Sequence, residues 1–435
     1  MKGYLKRGLC GCIAAVMLFV TGCGDGSQEP VMPIEPNVPE AVDEVEKTPY
    51  VPAVSMEVTP IVDYTIPNVV PNVLVDRAGY EKQETKVAII RGGRLPEMFY
   101  LKDALTHETV YSGKLEEIIY DEMQNLYAGY AEFSDFAKEG RFYIECDILG
   151  QSFRFEIAEV LYDGLLKELC EEMQSKASRG EMSVFEALMV LQAYEWYSAV
   201  FADEDGDKIP DILEALQQWI AHMETNGVEA SREALYSAFL AKFSYLFQKT
   251  DYKYATDCLK RASAVFDKIQ AGANQDADVF WALTEIYRAT NLSKYRKQIL
   301  QYKDFFADNS YLEQPEYVYG SMTYLVTRHS VNRDLCEVLM NNVMGRGEEI
   351  SGKYEDLISP LKTGENAADE VLKCAVELSR ANFVLNNYQY TNIIEEFLHY
   401  LMGRNPESVN YYESDTDKMG YLLLITQLVA NRIKE

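Results

Sequence analysis

The chain has 435 residues, of which 48% are hydrophobic and 12% aromatic, and a formal charge of −28. That length suits about two ordinary domains. So acidic a chain lacks the basic face that nucleic-acid binding requires, although net charge does not dictate a fold.

Lys2, Lys6 and Arg7 precede an apolar run from Leu9 to Val20. These are the charged and apolar regions of a secretory signal, and the run is too short to span a bilayer. It ends Val20–Thr21–Gly22–Cys23, which resembles a bacterial lipobox. The resemblance implies a signal peptide over residues 1–22, lipidation of Cys23, and a lipid-anchored place on the extracellular face of the cell membrane. An ordinary signal peptide followed by a chance cysteine is the plainer alternative. Residues 24–72 hold nine of the fourteen prolines and nine acidic residues against one lysine, Lys47. Such a composition cannot bury enough apolar surface to fold alone. Residues 23–72 therefore read as an acidic, proline-rich linker, reaching on the order of 150 Å if extended. Beyond Cys23 stand Cys146, Cys170, Cys258, Cys336 and Cys374. None has the C-x-x-C spacing of a zinc or redox motif, and buried free thiols are expected.

Residues 73–158 carry short β-rich runs at 73–75, 86–90, 98–101, 109–111, 126–132, 141–146 and 152–157, separated by turn signals such as Gly92–Gly93, Gly113 and Gly150. About seven strands in about 85 residues predict an immunoglobulin-like β-sandwich. From Val160 the apolar spacing turns helical and stays so to residue 435. About twelve helical stretches with short loops predict an all-α barrel or stack, and no regular 34-residue repeat is present.

Between two of these helices, Asp203, Asp205, Asp207, Asp211 and Glu214 stand at positions 1, 3, 5, 9 and 12 of a twelve-residue window. That is calcium-loop spacing, with the Ile209 carbonyl at position 7 completing the set. The glycine usual at position 6 is replaced by Lys208, with Gly206 at position 4, an arrangement that resembles thrombospondin-type calcium repeats. The alternative is an acidic helix start that complements the helix dipole.

Several stretches carry a wider resemblance. Val73–Leu74–Val75–Asp76–Arg77–Ala78–Gly79–Tyr80, then Phe133–Ser134–Asp135–Phe136, Gly140–Arg141–Phe142–Tyr143 and Ser152–Phe153–Arg154–Phe155 are similar to the N-terminal immunoglobulin-like module of family 9 glycoside hydrolases, the cellulase family. Ile209–Pro210–Asp211–Ile212–Leu213–Glu214–Ala215 with Trp219 and Met223, Asp278–Val279–Phe280–Trp281 through Thr290, and Tyr400–Leu401–Met402–Gly403–Arg404–Asn405–Pro406 resemble motifs of that family's helical domain. The resemblance implies a sandwich at 73–158 followed by an (α/α)6 barrel at 160–435. It also implies inverting hydrolysis of β-linked polysaccharide by a carboxylate base and a carboxylic acid.

The departures bear on chemistry. Where the family has a D-A-G-D base motif, this chain reads Arg179–Gly180–Glu181–Met182–Ser183–Val184. None of His107, His222, His329 and His399 supplies the family's histidine–histidine–arginine segment. The acid of the family's N-E pair has no counterpart in register. Glu181 and Glu186 lie near the place of the base, with Glu186 expected on a helix surface. Glu413, Asp415 and Asp417 lie near the place of the acid. His399 is expected to be a satisfied core histidine, and Tyr317, Tyr319 and Tyr324 to pack. The sequence thus supports a surface lipoprotein on a cellulase-like scaffold that has lost catalysis and binds glycan or a protein partner. The alternative is an active endo-β-glucanase with displaced carboxylates.

Overall fold

Ten short strands build the first part of the chain. A computed structural model describes residues 70–122, 125–270, 276–354, 367–414 and 418–430. The signal segment, Cys23, nearly all of the linker, Asp415 and Asp417 lie outside the described residues. The strands are β1 (Val73–Leu74), β2 (Tyr80–Glu81), β3 (Val87–Gly92), β4 (Met98–Asp103), β5 (Thr109–Lys114), β6 (Glu116–Asp121), β7 (Leu126–Glu132), β8 (Gly140–Cys146), β9 (Gly150–Gln151) and β10 (Phe155–Ala158). One sheet has the order β1-β3-β7-β6 and the other β2-β10-β8-β4-β5, with β9 paired to β8. Alternation places Val73, Ala88, Ile90, Phe99, Leu101, Phe142, Ile144 and Phe155 between the sheets, all nearly free of solvent contact. Period-2 patterning has this consequence in a sandwich. β6, β2 and β9 are additional to the runs expected from sequence.

The remaining elements are helical. Six helices, α2 (Val184–Trp196), α4 (Glu233–Phe247), α6 (Ala277–Thr290), α8 (Pro315–Val326), α10 (Ala367–Val384) and α13 (Met419–Ala430), are buried over most of their surface. They form an inner ring. Outside it stand α1 (Tyr162–Arg179), α3 (Asp211–Asn226), α5 (Tyr252–Gln270), α7 (Ser293–Ile299), α9 (Arg333–Lys353) and α11 (Tyr388–Leu401), with a short α12 (Tyr411–Ser414) before the last inner helix. The division follows from sequence. A helix apolar all round, such as α4 or α13, must sit inside, whereas α3 and α11 carry one apolar stripe and one polar face. The fold is an (α/α)6 barrel behind a β-sandwich. All five described cysteines are free thiols. Among the described residues no helix is long and apolar enough to cross a membrane.

The inner ring is filled, not hollow. Lys242 of α4 and Glu285 and Arg288 of α6 have almost no solvent exposure. Glu195 of α2 pairs with both Lys242 and Arg288. Glu285 receives Thr323 Oγ1 at 2.7 Å and Trp281 Nε1 at 3.2 Å. Arg288 also lies 4.3 Å over the Tyr245 ring. Burial acts to raise the Glu195 carboxyl, but the two cations outweigh it and hold the group well below the usual carboxylate range. Four inner helices are thereby tied by one charged, hydrogen-bonded cluster.

The sandwich and the barrel meet through two of the resembling stretches, 73–80 and 400–406. Asp76 Oδ2 lies 2.8 Å from His399 Nδ1, and neither side chain has any exposure. The Arg77 amide donates to the Met402 carbonyl at 2.9 Å. Arg404 pairs with Glu396 and donates to the Val87 carbonyl of β3 at 3.2 Å. Gly403 has φ +128°, and a Cβ there would run into the Arg77 side chain. Glu81 Oε1 takes the amides of Leu161 and Tyr162 at 3.0 and 3.4 Å, capping the start of α1 from the sandwich side. His399 is thus buried, as expected, and the partner of its Nδ1 comes from the other module.

Removing Glu195 strands two buried cations, and breaking a buried ion pair typically costs about 3–5 kcal/mol. Glu195→Ala is expected to lower unfolding stability by that much in urea titration, and a loss under about 1 kcal/mol would speak against the cluster as a tie.

Candidate functional site

The inner helices run parallel, so their N-termini open on one end of the barrel. Gly320 of α8 packs against Phe280 and Trp281 of α6, and Gly420 of α13 against Glu186 and Met189 of α2. An aromatic plug fills this mouth. Phe185 meets Tyr421 at 5.6 Å and Trp281 at 6.3 Å, Trp281 stacks on Tyr319 at 5.1 Å, and Arg380 lies 4.3 Å over the Tyr319 ring. Trp281 and Tyr319 are buried, whereas Phe185 and Tyr421 are partly exposed. Tyr317 and Tyr324 are buried as packing residues.

A cavity of ≈ 260 Å³ opens between the start of α8, the side of α10 and the start of α13. Leu312, Pro315, Leu372, Val376 and Tyr421 give it an apolar wall. Its charged rim is paired within itself or with a neighbour: Lys373 with Glu313, Lys418 with Asp369, and Glu377 with Arg346 at 2.8 Å. The volume falls below the roughly 300–1,000 Å³ of an ordinary small-molecule pocket.

Among the described residues, the carboxylates singled out from sequence do not face one another across this mouth. Glu181 is exposed and accepts from Arg179 Nε at 2.7 Å. Gly180 caps α1 at φ +70°, and His222 fills the space a Cβ would need. Glu186, expected on the surface, is buried. It closes a capping box with Ser183, taking the Ser183 amide at 2.8 Å, and pairs with Lys176 of α1. The third residue of a helix reaches back over the helix start, which here lies under α1. Glu413 accepts from Asn410 Nδ2 at 3.1 Å and stands 3.8 Å from Arg77. It borders a separate cavity of ≈ 450 Å³ at the seam with the sandwich, beside Ala78, Leu161 and Leu165.

Two carboxyls at the mouth were not singled out from sequence. Asp278 lies in the first turn of α6 and Glu316 in the first turn of α8. Burial raises Asp278 most, Glu316 and Asp276 add to it, and Arg232 opposes, leaving its pKa at about 6. The same Glu316 charge helps to raise Tyr319 and Tyr421, beyond the effect of their burial. In sequence each acid is an ordinary first-turn residue favoured by the helix dipole. Only the lateral packing of α6 on α8 brings them together.

The acidic window forms a loop that ends at Asp211, with Pro210 as the cap of α3 and not its first residue. Lys208 and Gly206 both have positive φ, +78° and +77°. Asp203 takes the amides of Gly206 and Lys208, and Asp207 that of Ile209 at 2.7 Å. The carboxylate oxygens of Asp203, Asp205 and Asp211 lie within 4.8 Å of one another, as do those of Asp205, Asp207 and Glu214. Glu214 is raised, first by burial and then by Asp207, Asp205, Asp211 and Asp203 together. An all-oxygen set with convergent negative charge fits a hard cation such as calcium.

No curated protein matches this chain. In sequence, residues 68–151 match the cellulase N-terminal ig-like domain and residues 211–414 match glycosyl hydrolase family 9. The loop at 179–184 and the turn into α13 lie outside the second match. In structure the chain is similar to a metagenome-derived glycoside hydrolase family 9 endoglucanase, with a TM-score of 0.66 at 15% identity over 78% of this chain and 84% of that one. It is also similar to a family 9 glycoside hydrolase of Bacteroides ovatus, with a TM-score of 0.62 at 14% identity over 84% and 99%. A thermostable endoglucanase from Alicyclobacillus acidocaldarius aligns with a TM-score of 0.62 at 14% identity over 78% and 83%. These identities speak for the fold alone. With both sequence matches in chain order on that fold, residues 211–414 belong to a divergent glycosyl hydrolase family 9 domain that follows a cellulase-type ig-like domain.

Proposed function

We propose that this chain is a lipid-anchored surface protein whose family 9 barrel has lost hydrolysis and serves to bind β-linked glycan or a surface partner. The observation that carries the reading is the engagement of both carboxylates near the place of the base. Glu181 is tied to Arg179, and Glu186 to Ser183 and Lys176. Both already accept from neighbouring donors, and Glu186 is buried as well. Glu413, near the place of the acid, borders the seam cavity and not the barrel mouth. An inverting mechanism needs two carboxyl groups about 6.5–9.5 Å apart on opposite faces of a sugar. Each proton-transfer group typically contributes ~10²–10⁴ in rate, so losing both removes most of the chemistry. The partly exposed rings of Phe185 and Tyr421 offer the apolar faces on which a sugar stacks.

Asp278 favours a second reading. A carboxyl with a pKa of about 6 at the barrel mouth, beside Glu316, has the protonation an acid catalyst needs. If it acts so, activity falls as pH rises through about 6, because the proton to be donated is lost. Reducing-sugar release from mixed β-glucans is expected to stay at background. Release that vanishes in Asp278→Asn or Glu316→Gln would establish the second reading and end the first. Glu181→Gln and Glu413→Gln test the positions nearest the family's motifs in the same assay.

For the acidic loop, the reading is a bound calcium held by Asp203, Asp205, Asp207, Asp211 and Glu214, with the Ile209 carbonyl. An ion present at 100 times its Kd stabilises by about 2.7 kcal/mol. Ca²⁺ added to metal-stripped protein is therefore expected to raise Tm by roughly 2–5 °C, and Asp207→Asn to abolish that response. If the loop only caps α3, Ca²⁺ leaves Tm unchanged, and Asp207→Asn raises Tm by relieving repulsion.

The anchor rests on Val20–Thr21–Gly22–Cys23. Cys23→Ser is expected to release the protein into the medium. Retention of the variant in the membrane fraction would remove the lipid from the account.

A further inference from the structure

Three metal-ligating side chains from two modules converge where the sandwich rests on α11. Glu84 follows β2 in the sandwich. Glu395 and His399 stand four residues apart on α11 and so share one face of that helix. All three are buried, with relative exposures of 5%, 7% and 0%. Their ligand atoms lie within 4.8 Å of one another, and His399 Nε2 is 3.7 Å from Glu84 Oε1. Around a tetrahedral zinc ion with bonds of 2.0–2.1 Å, two ligand atoms stand ~3.4 Å apart. The observed separation is close to that edge.

The surroundings orient the ligands. The amides of Ala78 and Gly79 reach Asp76 Oδ1 at 2.7 and 3.0 Å, and Asp76 Oδ2 stands 2.8 Å from His399 Nδ1. Nε2 is the ring nitrogen turned toward Glu84. A carboxylate behind a histidine is the recurrent support of a metal-binding imidazole. Glu84 is held in the same way. Its Oε2 accepts from the Tyr162 hydroxyl at 3.0 Å, leaving Oε1 toward His399. The Tyr80 ring packs on the imidazole at 5.1 Å and meets Phe133 and Phe155, so the site has an apolar wall.

The charged neighbours are engaged: Arg404 pairs with Glu396, Lys86 donates to the carbonyls of Lys82 and Glu84, and Glu81 takes the amides at the start of α1.

We propose that Glu84, Glu395 and His399 bind a small divalent cation of the zinc type, and that this ion fastens the ig-like domain to the barrel. Asp76 and Tyr162 are positioning residues for two of the ligands. One nitrogen and two carboxylate oxygens leave a fourth position for water or a second carboxylate oxygen. The site differs in chemistry from the all-oxygen loop at 203–214, and its ligands come from two modules rather than one.

The test uses the full chain. Elemental analysis of protein purified without chelator is expected to give about one zinc-type ion per chain, retained through dialysis. After stripping, Zn²⁺ added in micromolar amounts is expected to raise Tm. Glu395→Gln should lose both the retained ion and the response, while Asp207→Asn keeps both. If Glu395→Gln does not fold, Glu84→Gln and the metal content of the unaltered chain decide the matter. Substoichiometric metal together with no Tm response to Zn²⁺ overturns the proposal. So does a Glu395→Gln or Glu84→Gln protein that retains the full ion and response.

Discussion

The hydrogen bond between Asp76 and His399 joins two modules that are each able to satisfy their own backbone. A sandwich core and a ring of inner helices both form from local patterning, but nothing in that patterning orients one on the other. The 2.8 Å bond, buried on both sides, has no partner in water to exchange with, so it holds only in one docking geometry. The Arg77 amide on Met402, Arg404 on Val87 and Glu81 on the start of α1 extend that geometry over three separate elements. The stretches 73–80 and 400–406 therefore share one constraint, which is the seam, and neither contributes to the barrel mouth.

Element type and order were legible in the sequence because the patterns are strong. Alternation or a β-rich apolar run marked the long strands β3, β4, β7 and β8, and 3.6-residue spacing marked the inner and outer helices. β6 was not legible, since Glu116–Glu117–Ile118–Ile119 lacks alternation and its pairing with β7 carries a bulge. The helical run expected after Val160 breaks at 300–313 into short 3-10 turns, where Tyr302, Phe306 and Tyr311 turn inward.

The candidate site was less legible, and for a different reason. Sequence spacing locates carboxylates that act within one loop, and the acidic window at 203–214 is such a case. It cannot show that Glu186 folds back under α1 to meet Lys176, because that contact crosses two helices. Nor can it bring Asp278 beside Glu316, or Glu84 beside His399, since each pair is joined only by tertiary packing. The aromatic plug of Phe185, Trp281, Tyr319 and Tyr421 drew on four helices for the same reason.

On the proposed reading, a barrel whose mouth carries aromatic rings, with Glu181 held in an ion pair and Glu186 in a cap, separates binding from chemistry. Incubating the protein with an excess of cellohexaose, and following binding by calorimetry and oligosaccharide length by mass spectrometry in the same sample, tests this most directly. The account predicts saturable binding that Tyr421→Ala weakens, with the hexasaccharide intact after a day. Accumulation of shorter oligosaccharides, or the absence of any binding to the hexasaccharide and other β-glucans, would contradict it.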